Sequence, residues 1–383
     1  MQYIKLGEVI QSAKSERAGD GDYLVLSITK SDGIVLQTEK FKKRIASQDT
    51  TQYRIVRKGQ LVQGIHIDEA NFGIQDIIEV GIVSPAYKIW DVNTSIIKPK
   101  YLEEVLRSPR SIQYYSSKFN GSIKRRERLS DKDFLEMVIP CPSIEEQDYV
   151  LAVIKKTREI IYRRQHEMLK LDELIKARFV EMFGDPVSNE KGWKTRPLLS
   201  MGSCKNGMNF HYDDSGVEIN CLGVGDFKDH SVIADTAALS TVSLNEMPSS
   251  EYLLQDDDIV FVRSNGNKKM VGRSVAVYPG AVPTTFSGFC IRYRREDDSV
   301  ITPYLLRVLK AESIRQKMYG RGANIQNLNQ QTLSLLDIPV PPKAMQEQFA
   351  AFVAQVDKSK AVIQKSLDEA QLLFDSLMQQ YFG

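Results

Sequence analysis

The chain has 383 residues, a formal net charge of +2, 42% hydrophobic residues and 26% charged residues. This length exceeds that of one ordinary domain, and the composition is that of a globular protein rather than a disordered or fibrous one. Because the net charge is close to zero, any binding of a polyanion must depend on local clusters of cations.

Four cysteines (Cys141, Cys204, Cys221 and Cys290) show no CxxC spacing, and the four histidines do not cluster. This pattern argues against a zinc site, and we expect no cofactor. Isolated cysteines without a signal peptide predict a reducing, cytoplasmic location. No apolar run approaches the roughly 20 residues needed to span a bilayer, so no membrane partner is expected.

The first part of the chain contains short runs rich in β-branched and aromatic residues, punctuated by Gly, Asn and Asp. These runs predict strands, for example in Asp22–Ile28 and Glu79–Trp90. A short helix is predicted next, over the segment "YLEEVL" (Tyr101–Leu106).

The segment "IPCPSIEEQ" (Ile139–Gln147) then leads into a long helix, since no proline or glycine follows Pro142 until Gly184. Proline fixes φ and holds its predecessor extended, so the segment predicts a stiff bracket between a domain and the helix. Ser143 is predicted to cap the helix, with Glu145 and Glu146 in its first turn.

The second part of the chain repeats this plan. The segment "IPVPPKAMQEQ" (Ile338–Gln348) resembles the first bracket at an offset of 199 residues, although its Glu-Gln pair comes two residues later. "YLLRVL" (Tyr304–Leu309) resembles the first short helix at an offset of 203. Strands are again predicted, in Asp257–Ser264 and Gly272–Pro279. Collinear matches of this kind indicate an internal duplication.

Both long helices carry apolar residues every seven positions, which predicts coiled-coil pairing. The first series is Ile154, Ile161, Met168, Ile175 and Met182, joined by Leu171, Leu174 and Phe179; the second is Phe349, Val356, Ile363, Ala370 and Leu377, flanked by Phe352, Val353, Leu367, Leu373 and Phe374. At 1.5 Å per residue, each helix would measure roughly 60 Å. For helix pairing or partner docking we single out Ile154, Ile161, Met168, Leu171, Ile175, Phe352, Val356, Ile363, Leu367 and Phe374.

The sequence thus predicts an α+β protein in which two mixed, β-rich domains are joined by two long antiparallel coiled-coil helices with pseudo-two-fold symmetry. The predicted boundaries are residues 1–138 and 186–337 for the domains, and residues 139–185 and 338–383 for the helical regions. By this symmetry, the end of the second helix is expected near the start of the chain.

Local clusters of cations and amides lie mostly in the predicted loops of both domains. Lys and Arg neutralise phosphate, and Arg, Asn and Gln can bond to base edges. A single cluster is as readily a solvated surface, but their presence in both domains favours nucleic-acid binding. The candidate DNA-binding residues are Lys40, Lys42, Lys43, Arg44, Arg54, Arg57, Lys58, Lys124, Arg125, Arg126, Arg263, Ser264, Asn265, Asn267, Lys268, Lys269, Arg273, Arg321 and Asn324.

Motifs of catalysis are missing from the sequence. We find no P-loop and no adenine-methyltransferase motif, and the glycines of "GVGDF" (Gly223–Phe227) lack dinucleotide-binding spacing. His66 with Asp68 and Glu69, and His211 with Asp213 and Asp214, fit no recognised metal motif and are interpreted as polar loop residues. The chain is therefore predicted to be noncatalytic.

The chain resembles the specificity subunits of type I restriction–modification systems. The resemblance rests on the duplicated plan, on the two Ile-Pro brackets with their long helices, and on the passage "MFGDP…GWK" (Met182–Lys194) into the second domain. The run "FVRSNGNKKMVGRSVAV" (Phe261–Val277) is also similar to such target-recognition domains. The resemblance covers essentially the whole chain.

The resemblance implies that each domain reads one half of a split site in double-stranded DNA. It also implies that the paired helices set the spacing and dock modification (methyltransferase) subunits, two of them by expectation, and through them restriction subunits. The alternative from another class is a coiled-coil scaffold whose β-rich domains bind proteins, which the near-neutral charge would suit. A nuclease or methyltransferase with unrecognised motifs is a more remote alternative.

Overall fold

The structure, a computed structural model, describes residues 2–30, 32–40, 49–118, 129–210, 215–227, 231–318 and 327–383. The chain forms two compact units. Unit 1 consists of Met1–Gln165 and Lys365–Gly383, and unit 2 consists of His166–Gln364. Both contain sheets and helices, so the α+β prediction is confirmed.

Unit 1 is built on short antiparallel strands. They are β1 (Tyr3–Lys5), β2 (Ile10–Ser12), β3 (Leu26–Thr29), β4 (Gly33–Leu36), β5 (Arg54–Arg57), β6 (Leu61–Gln63), β7 (Phe72–Ile74), β8 (Val80–Val83), β9 (Lys88–Val92) and β10 (Val138–Pro140). A four-stranded sheet has the order β2-β9-β6-β7, and the pairs β3-β4, β5-β8 and β1-β10 accompany it. The strands predicted in Asp22–Ile28 and Glu79–Trp90 correspond to β3, β8 and β9.

The helices of unit 1 are α1 (Gln37–Lys40), α2 (Pro99–Leu106), α3 (Pro109–Lys118), α4 (Asp131–Leu135), the first part of the long helix α5 (Ile144–Phe183) and the last part of a second long helix, residues 365–382. The core joins Phe72, Trp90, Tyr101 and Phe134 to Ile154 of α5. The predicted short helix over Tyr101–Leu106 is α2.

Unit 2 has larger sheets. Its strands are β11 (Thr195–Pro197), β12 (Gly202–Asn206), β13 (Val217–Leu222), β14 (Val232–Ile233), β15 (Thr241–Leu244), β16 (Asp258–Val262), β17 (Ser274–Val277), β18 (Thr284–Phe286), β19 (Cys290–Arg295) and β20 (Asp337–Pro339). A five-stranded sheet has the order β12-β19-β16-β17-β14, and a three-stranded sheet has the order β15-β13-β18. The strands predicted in Asp257–Ser264 and Gly272–Pro279 are β16 and β17.

The helices of unit 2 are α6 (Thr302–Lys310), α7 (Glu312–Met318), α8 (Gln330–Ser334) and the first part of the second long helix α9 (Lys343–Phe382), together with the last part of α5. The predicted helix over Tyr304–Leu309 is α6. The core joins Phe261, Ile291 and Tyr304 to Phe179 of α5 and Phe349 of α9.

Both long helices form as predicted. Ser143 caps α5: its hydroxyl accepts from the Glu146 amide at 3.3 Å, and the Glu146 carboxylate accepts from the Ser143 amide at 3.0 Å. This reciprocal arrangement satisfies amides that the helix itself cannot. After α5, Gly184 has φ of +76°, a left-handed conformation that favours glycine.

The two helices pack antiparallel within each unit. In unit 1, Arg158 of α5 lies over the Phe374 ring of α9 at 5.2 Å. In unit 2, Arg178 lies over the Phe352 ring at 5.9 Å, and Lys360 bonds to Asp172 at 2.8 Å. Cations that lie over aromatic rings thus join the helices in both units.

The apolar stripes of the long helices are covered at the positions that recur every seven residues. Every heptad position of both series is buried or half-buried. Leu174 and Leu373, predicted to accompany the two stripes, are instead 46% and 52% exposed. The heptad prediction therefore holds for the main series but was wrong for these two leucines.

The Ile-Pro segments are strands that pair with the start of each domain: Ile139 of β10 lies opposite Ile4, and Ile338 of β20 lies opposite Arg196. One glutamine follows each strand and is fully buried. In unit 1, Gln147 accepts from the Lys98 amide at 2.8 Å and donates to the carbonyls of Ile96 at 3.1 Å and Pro142 at 2.9 Å.

The second copy makes the same three bonds. Gln346 accepts from the Ile301 amide at 3.0 Å and donates to the carbonyls of Ser299 and Pro341, both at 2.9 Å. The equivalent of Gln147 is therefore Gln346, and the Glu-Gln pair that comes two residues later in the second copy is not its counterpart. The Glu-Gln pair of the second copy, Glu347-Gln348, lies on the exposed side of α9. We call Gln147 and Gln346, with their three bonds, the glutamine clamps.

We expect Gln346→Ala to lower the free energy of unfolding by about 3 kcal/mol, because it leaves one buried amide and two carbonyls without partners. Urea unfolding followed by circular dichroism would measure this. Gln348→Ala, at an exposed position on the same helix, is the matched control and should change the stability by less than about 0.5 kcal/mol. Equal effects of the two substitutions would show that the clamp is not needed.

Candidate nucleic-acid interface

The predicted cluster of unit 2 lies on the loop that follows β16. Arg263 holds the start of this loop: its amide donates to the Phe289 carbonyl at 2.8 Å, and its carbonyl accepts from the Leu328 amide at 2.7 Å. Ser264 forms a β-bridge with Asn327. The loop is thus fixed to two other segments of the same unit at its root.

The rest of the loop is ordered by its own side chains. Asn265 Oδ1 accepts from the Asn267 amide at 2.8 Å, and Asn267 Oδ1 accepts from the Lys269 amide at 3.1 Å, which forms two successive Asx turns. Arg315 of α7 donates to the carbonyls of Lys269 at 3.0 Å and Val271 at 3.1 Å. The tip from Gly266 to Lys269 is exposed.

An aromatic side chain stands beside this loop. Phe289, at the turn before β19, is 60% exposed although its carbonyl anchors Arg263. Arg263 itself is half-buried and directs its Nη1 to the Gly288 carbonyl at 3.4 Å. The cations and amides of the ordered loop, with the exposed ring beside it, are groups that can contact phosphates, base edges and base faces. Phe289 was not predicted from the sequence.

The described candidates of unit 1 lie around β5. Arg54 is half-buried at its start, and Arg57 at its end bonds to Glu16 at 2.6 Å. Lys58 bonds to Glu79 at 2.7 Å, and this hydrogen bond raises the pKa of Lys58. Exposed ion pairs contribute little to stability, so exchanging these carboxylates for phosphates would cost little.

The remaining candidates are placed as follows. Lys40 is the last residue of α1, and Asn265, Asn267, Lys268, Lys269 and Arg273 lie on the loop after β16. Outside the described residues lie Lys42, Lys43, Arg44, Lys124, Arg125, Arg126, Arg321 and Asn324, as well as His211, Asp213 and Asp214.

The ten residues singled out on the long helices are all at least partly covered. Ile154, Ile175 and Val356 are buried, and the others are half-buried. The sequence did not predict the bidentate ion pair that joins α2 to α5 in unit 1, in which Arg158 Nη2 donates to Glu104 Oε2 at 2.8 Å. Nor did it predict the glutamine clamps, which aligning the two copies at an offset of 199 would have revealed.

Burial raises the pKa of all four thiols, to about 12 for Cys204 and Cys221. These cysteines are therefore protonated at neutral pH and poor nucleophiles. Among the described residues, no group of three His, Cys, Asp or Glu side chains is arranged to hold a metal ion. The helices of the described segments include none that is both long and apolar enough to cross a membrane.

Comparison with known proteins connects this architecture to one family. Residues 190–372 match the family model described as the type I restriction modification DNA specificity domain. The chain is 24% identical over 302 residues to the type I restriction enzyme StySPI specificity subunit of Salmonella potsdam, a match that covers 74% of this chain and 64% of that protein. The chain is thus similar to the specificity subunits of type I restriction enzymes.

A second curated relative agrees. The EcoKI specificity subunit of Escherichia coli K12 is 31% identical over 133 residues, which are 33% of this chain and 28% of that protein. The chain thus matches less than two thirds of the length of these curated family members.

Solved structures support the fold. A chain from a study of assembly and conformational transition of the type I R-M system aligns with a TM-score of 0.60 at 17% identity, covering 100% of this chain and 97% of that one. The S subunit from M. genitalium aligns with a TM-score of 0.55 at 13% identity, covering 100% and 96%.

Replacing Arg315 by Leu should loosen the loop after β16, because two loop carbonyls lose their donor while α7 keeps a good helix former. We expect the amides of residues 265–272 to exchange with deuterium at least fivefold faster. Hydrogen–deuterium exchange with mass spectrometry would measure this. Lys317→Leu, exposed on the same helix, is the control. Unchanged protection in Arg315→Leu would mean that the Asx turns alone order the loop.

Proposed function

We propose that the chain is the noncatalytic subunit that selects the DNA site of a type I restriction–modification complex, and that the site is bipartite. The observation that carries this proposal is the repetition of the glutamine clamp and its long helix in both units. The clamp and the long helix, which together we call the supporting frame, are thus repeated. The sheets differ, because the main sheet of unit 1 has four strands and that of unit 2 has five. A repeated frame with unlike surfaces suits recognition of two unlike half-sites.

In this proposal the domains, residues 1–138 and 186–337, each contact one half-site, and the helical regions, residues 139–185 and 338–383, set the spacing. The loop after β16 supplies Lys268 and Lys269 at its exposed tip for phosphate, and Asn265 and Asn267 near base edges. In unit 1, Arg54, Arg57 and Lys58 have the corresponding role. Ordering of the loop before binding reduces the entropy cost of binding DNA.

We further propose that the long helices dock methyltransferase subunits, two by expectation, and through them restriction subunits, in the cytoplasm. Support comes from large apolar side chains that the helices leave exposed. In unit 1, Tyr162 is 69% and Leu372 is 72% exposed; in unit 2, Leu169 is 62% and Val362 is 71% exposed. Exposed apolar residues on a long helix indicate a protein partner. They equally suit the alternative of a scaffold that binds only proteins.

Scrambling either half of the site should weaken DNA binding at least 100-fold at 150 mM salt, since each mismatched base pair costs about 1–3 kcal/mol. The site would first be defined by mapping methylated bases in cells that express this chain with its cognate methyltransferase. Fluorescence anisotropy of the purified complex on labelled duplexes would then give the affinities. If scrambling either half-site left the affinity for DNA unchanged, bipartite recognition would be refuted.

The double variant Lys268→Ala/Lys269→Ala tests the loop in the same assay. Removal of phosphate-binding cations should weaken binding to all DNA sequences alike. The slope of log K against log salt concentration should also become shallower by about one for each lost contact between a cation and a phosphate. Lys358→Ala, exposed on α9, is the control. A complex whose DNA affinity does not depend on salt would favour the protein-binding scaffold.

Tyr162→Glu and Leu372→Glu should each weaken association with the methyltransferase at least tenfold, because a carboxylate would enter an apolar contact. Isothermal titration calorimetry would measure the affinity. Both side chains are exposed, so the thermal unfolding midpoint should stay within about 2 °C. Gln165→Glu, exposed on the same helix as Tyr162 and with the same change in charge, should bind normally. Undiminished affinity of both Glu variants would exclude this face of unit 1 from the contact.

A further inference from the structure

A cavity of about 170 Å³ in unit 2 lies where α6 meets the last part of α5 and the first part of α9. Its apolar lining includes Ile175, Leu306, Phe349 and Val353. Charged side chains of the same three helices, and residues at β14 and β17, form the rest of the wall. An apolar cavity of about 150 Å³ is large enough to hold a benzene ring, so this space fits one six-membered ring with a small substituent.

Five charged residues line the cavity: Arg307, Lys310, Lys360, Asp172 and Asp357. Asp172 is neutralised by Lys360 at 2.8 Å. Lys310 donates to the Ser231 hydroxyl at 2.7 Å, and burial together with the neighbouring Arg307 lowers its pKa to about 8. Lys310 is therefore still mostly protonated at pH 7, and the wall carries one net positive charge.

Arg307, like Asp357, has no ion pair in this set, although the nearby charge of Asp172 acts on it. Its guanidinium is half-buried, burial lowers its pKa, and it makes no hydrogen bond or ion pair with any residue that the structure describes. Arginine remains charged at every accessible pH. A half-buried cation without a partner costs free energy unless an anion is supplied.

The equivalent place in unit 1 is a larger cavity, of about 510 Å³, whose lining includes an ion pair. At the repeat offsets of 203 and 199, Arg307 corresponds to Glu104 and Asp357 corresponds to Arg158. Glu104 and Arg158 form the bidentate pair described above. In unit 2 the two signs are reversed, and no ion pair forms between Arg307 and Asp357. Both copies thus have a cavity at this place, but the arginine is paired with a carboxylate in the first copy and has no ion pair in the second.

We propose that this cavity binds a small monocarboxylate with a compact apolar body, of the size and class of benzoate. The ring would occupy the space between Leu306, Phe349 and Val353, and the carboxylate would bond to Arg307 with Lys310 as a second donor. The single net positive charge matches one carboxylate, and the volume of about 170 Å³ fits one ring. This ligand site is independent of DNA recognition.

The test uses 4-fluorobenzoate and ¹⁹F NMR on the full chain at pH 7, without DNA or methyltransferase. We expect saturable binding with a Kd on the order of 1 mM, as ligand efficiency permits for about ten heavy atoms. Arg307→Gln should raise the Kd at least tenfold, and 4-fluorobenzyl alcohol should bind the unchanged chain at least tenfold more weakly. Lys358→Gln, on α9 but outside the lining, should bind as the unchanged chain does.

Arg307→Gln should fold, because it removes an unpaired charge, and thermal unfolding would check this; Lys310→Gln is the second variant. Absence of saturable binding up to 20 mM would overturn the proposal. So would equal affinities of the unchanged chain and both variants, or equal binding of acid and alcohol. Since the assay contains no DNA, failure here would leave the proposed DNA recognition untouched.

Discussion

The glutamine clamp is the interaction on which each unit depends. Its amide lies in the first turn of a long helix, yet its three partners are backbone groups of the preceding proline segment and of the loop before α2 or α6. The side chain therefore fixes the start of the helix to the domain through bonds that exclude water. Because the amide is fully buried, a shift of either partner would leave unpaired polar groups, and this cost keeps the junction rigid.

Each unit is completed by the end of the other long helix. In unit 1, the Phe382 ring of α9 lies 5.5 Å from Tyr101 of α2, and in unit 2 the Phe183 ring of α5 lies 4.8 Å from Tyr304 of α6. The expected return of the second helix to the start of the chain is also seen: Arg110 donates to the Gly383 carbonyl and stacks on Tyr3. The core of unit 1 therefore combines segments from both ends of the chain, whereas the core of unit 2 lies within His166–Gln364.

The sequence predicted the features that depend on local periodicity and on backbone chemistry. The heptads indicated the covered faces of α5 and α9, and Ser143 indicated the first cap, because these depend on neighbours within one helix. Leu174 and Leu373 were predicted wrongly, since their packing depends on partners distant in the chain. The loop after β16 could be recognised by its composition, but its support by Arg315 and the nearby exposed ring of Phe289 arise from tertiary contacts that no local pattern records.

The two copies differ in the contact between the short helix and the long helix, although the clamp is the same in both. The clamps keep all three bonds, whereas the neighbouring contact between the short helix and the long helix has changed sign, from Glu104 and Arg158 to Arg307 and Asp357. A surface ion pair contributes little to stability, so its absence is tolerable as long as the clamp holds the same two elements together. Without the pair, α6 has an unmatched cation beside apolar walls, which is the combination that a small anion with an apolar body can satisfy. A duplicated frame can therefore acquire a ligand site in one copy without disturbing the junction on which both depend.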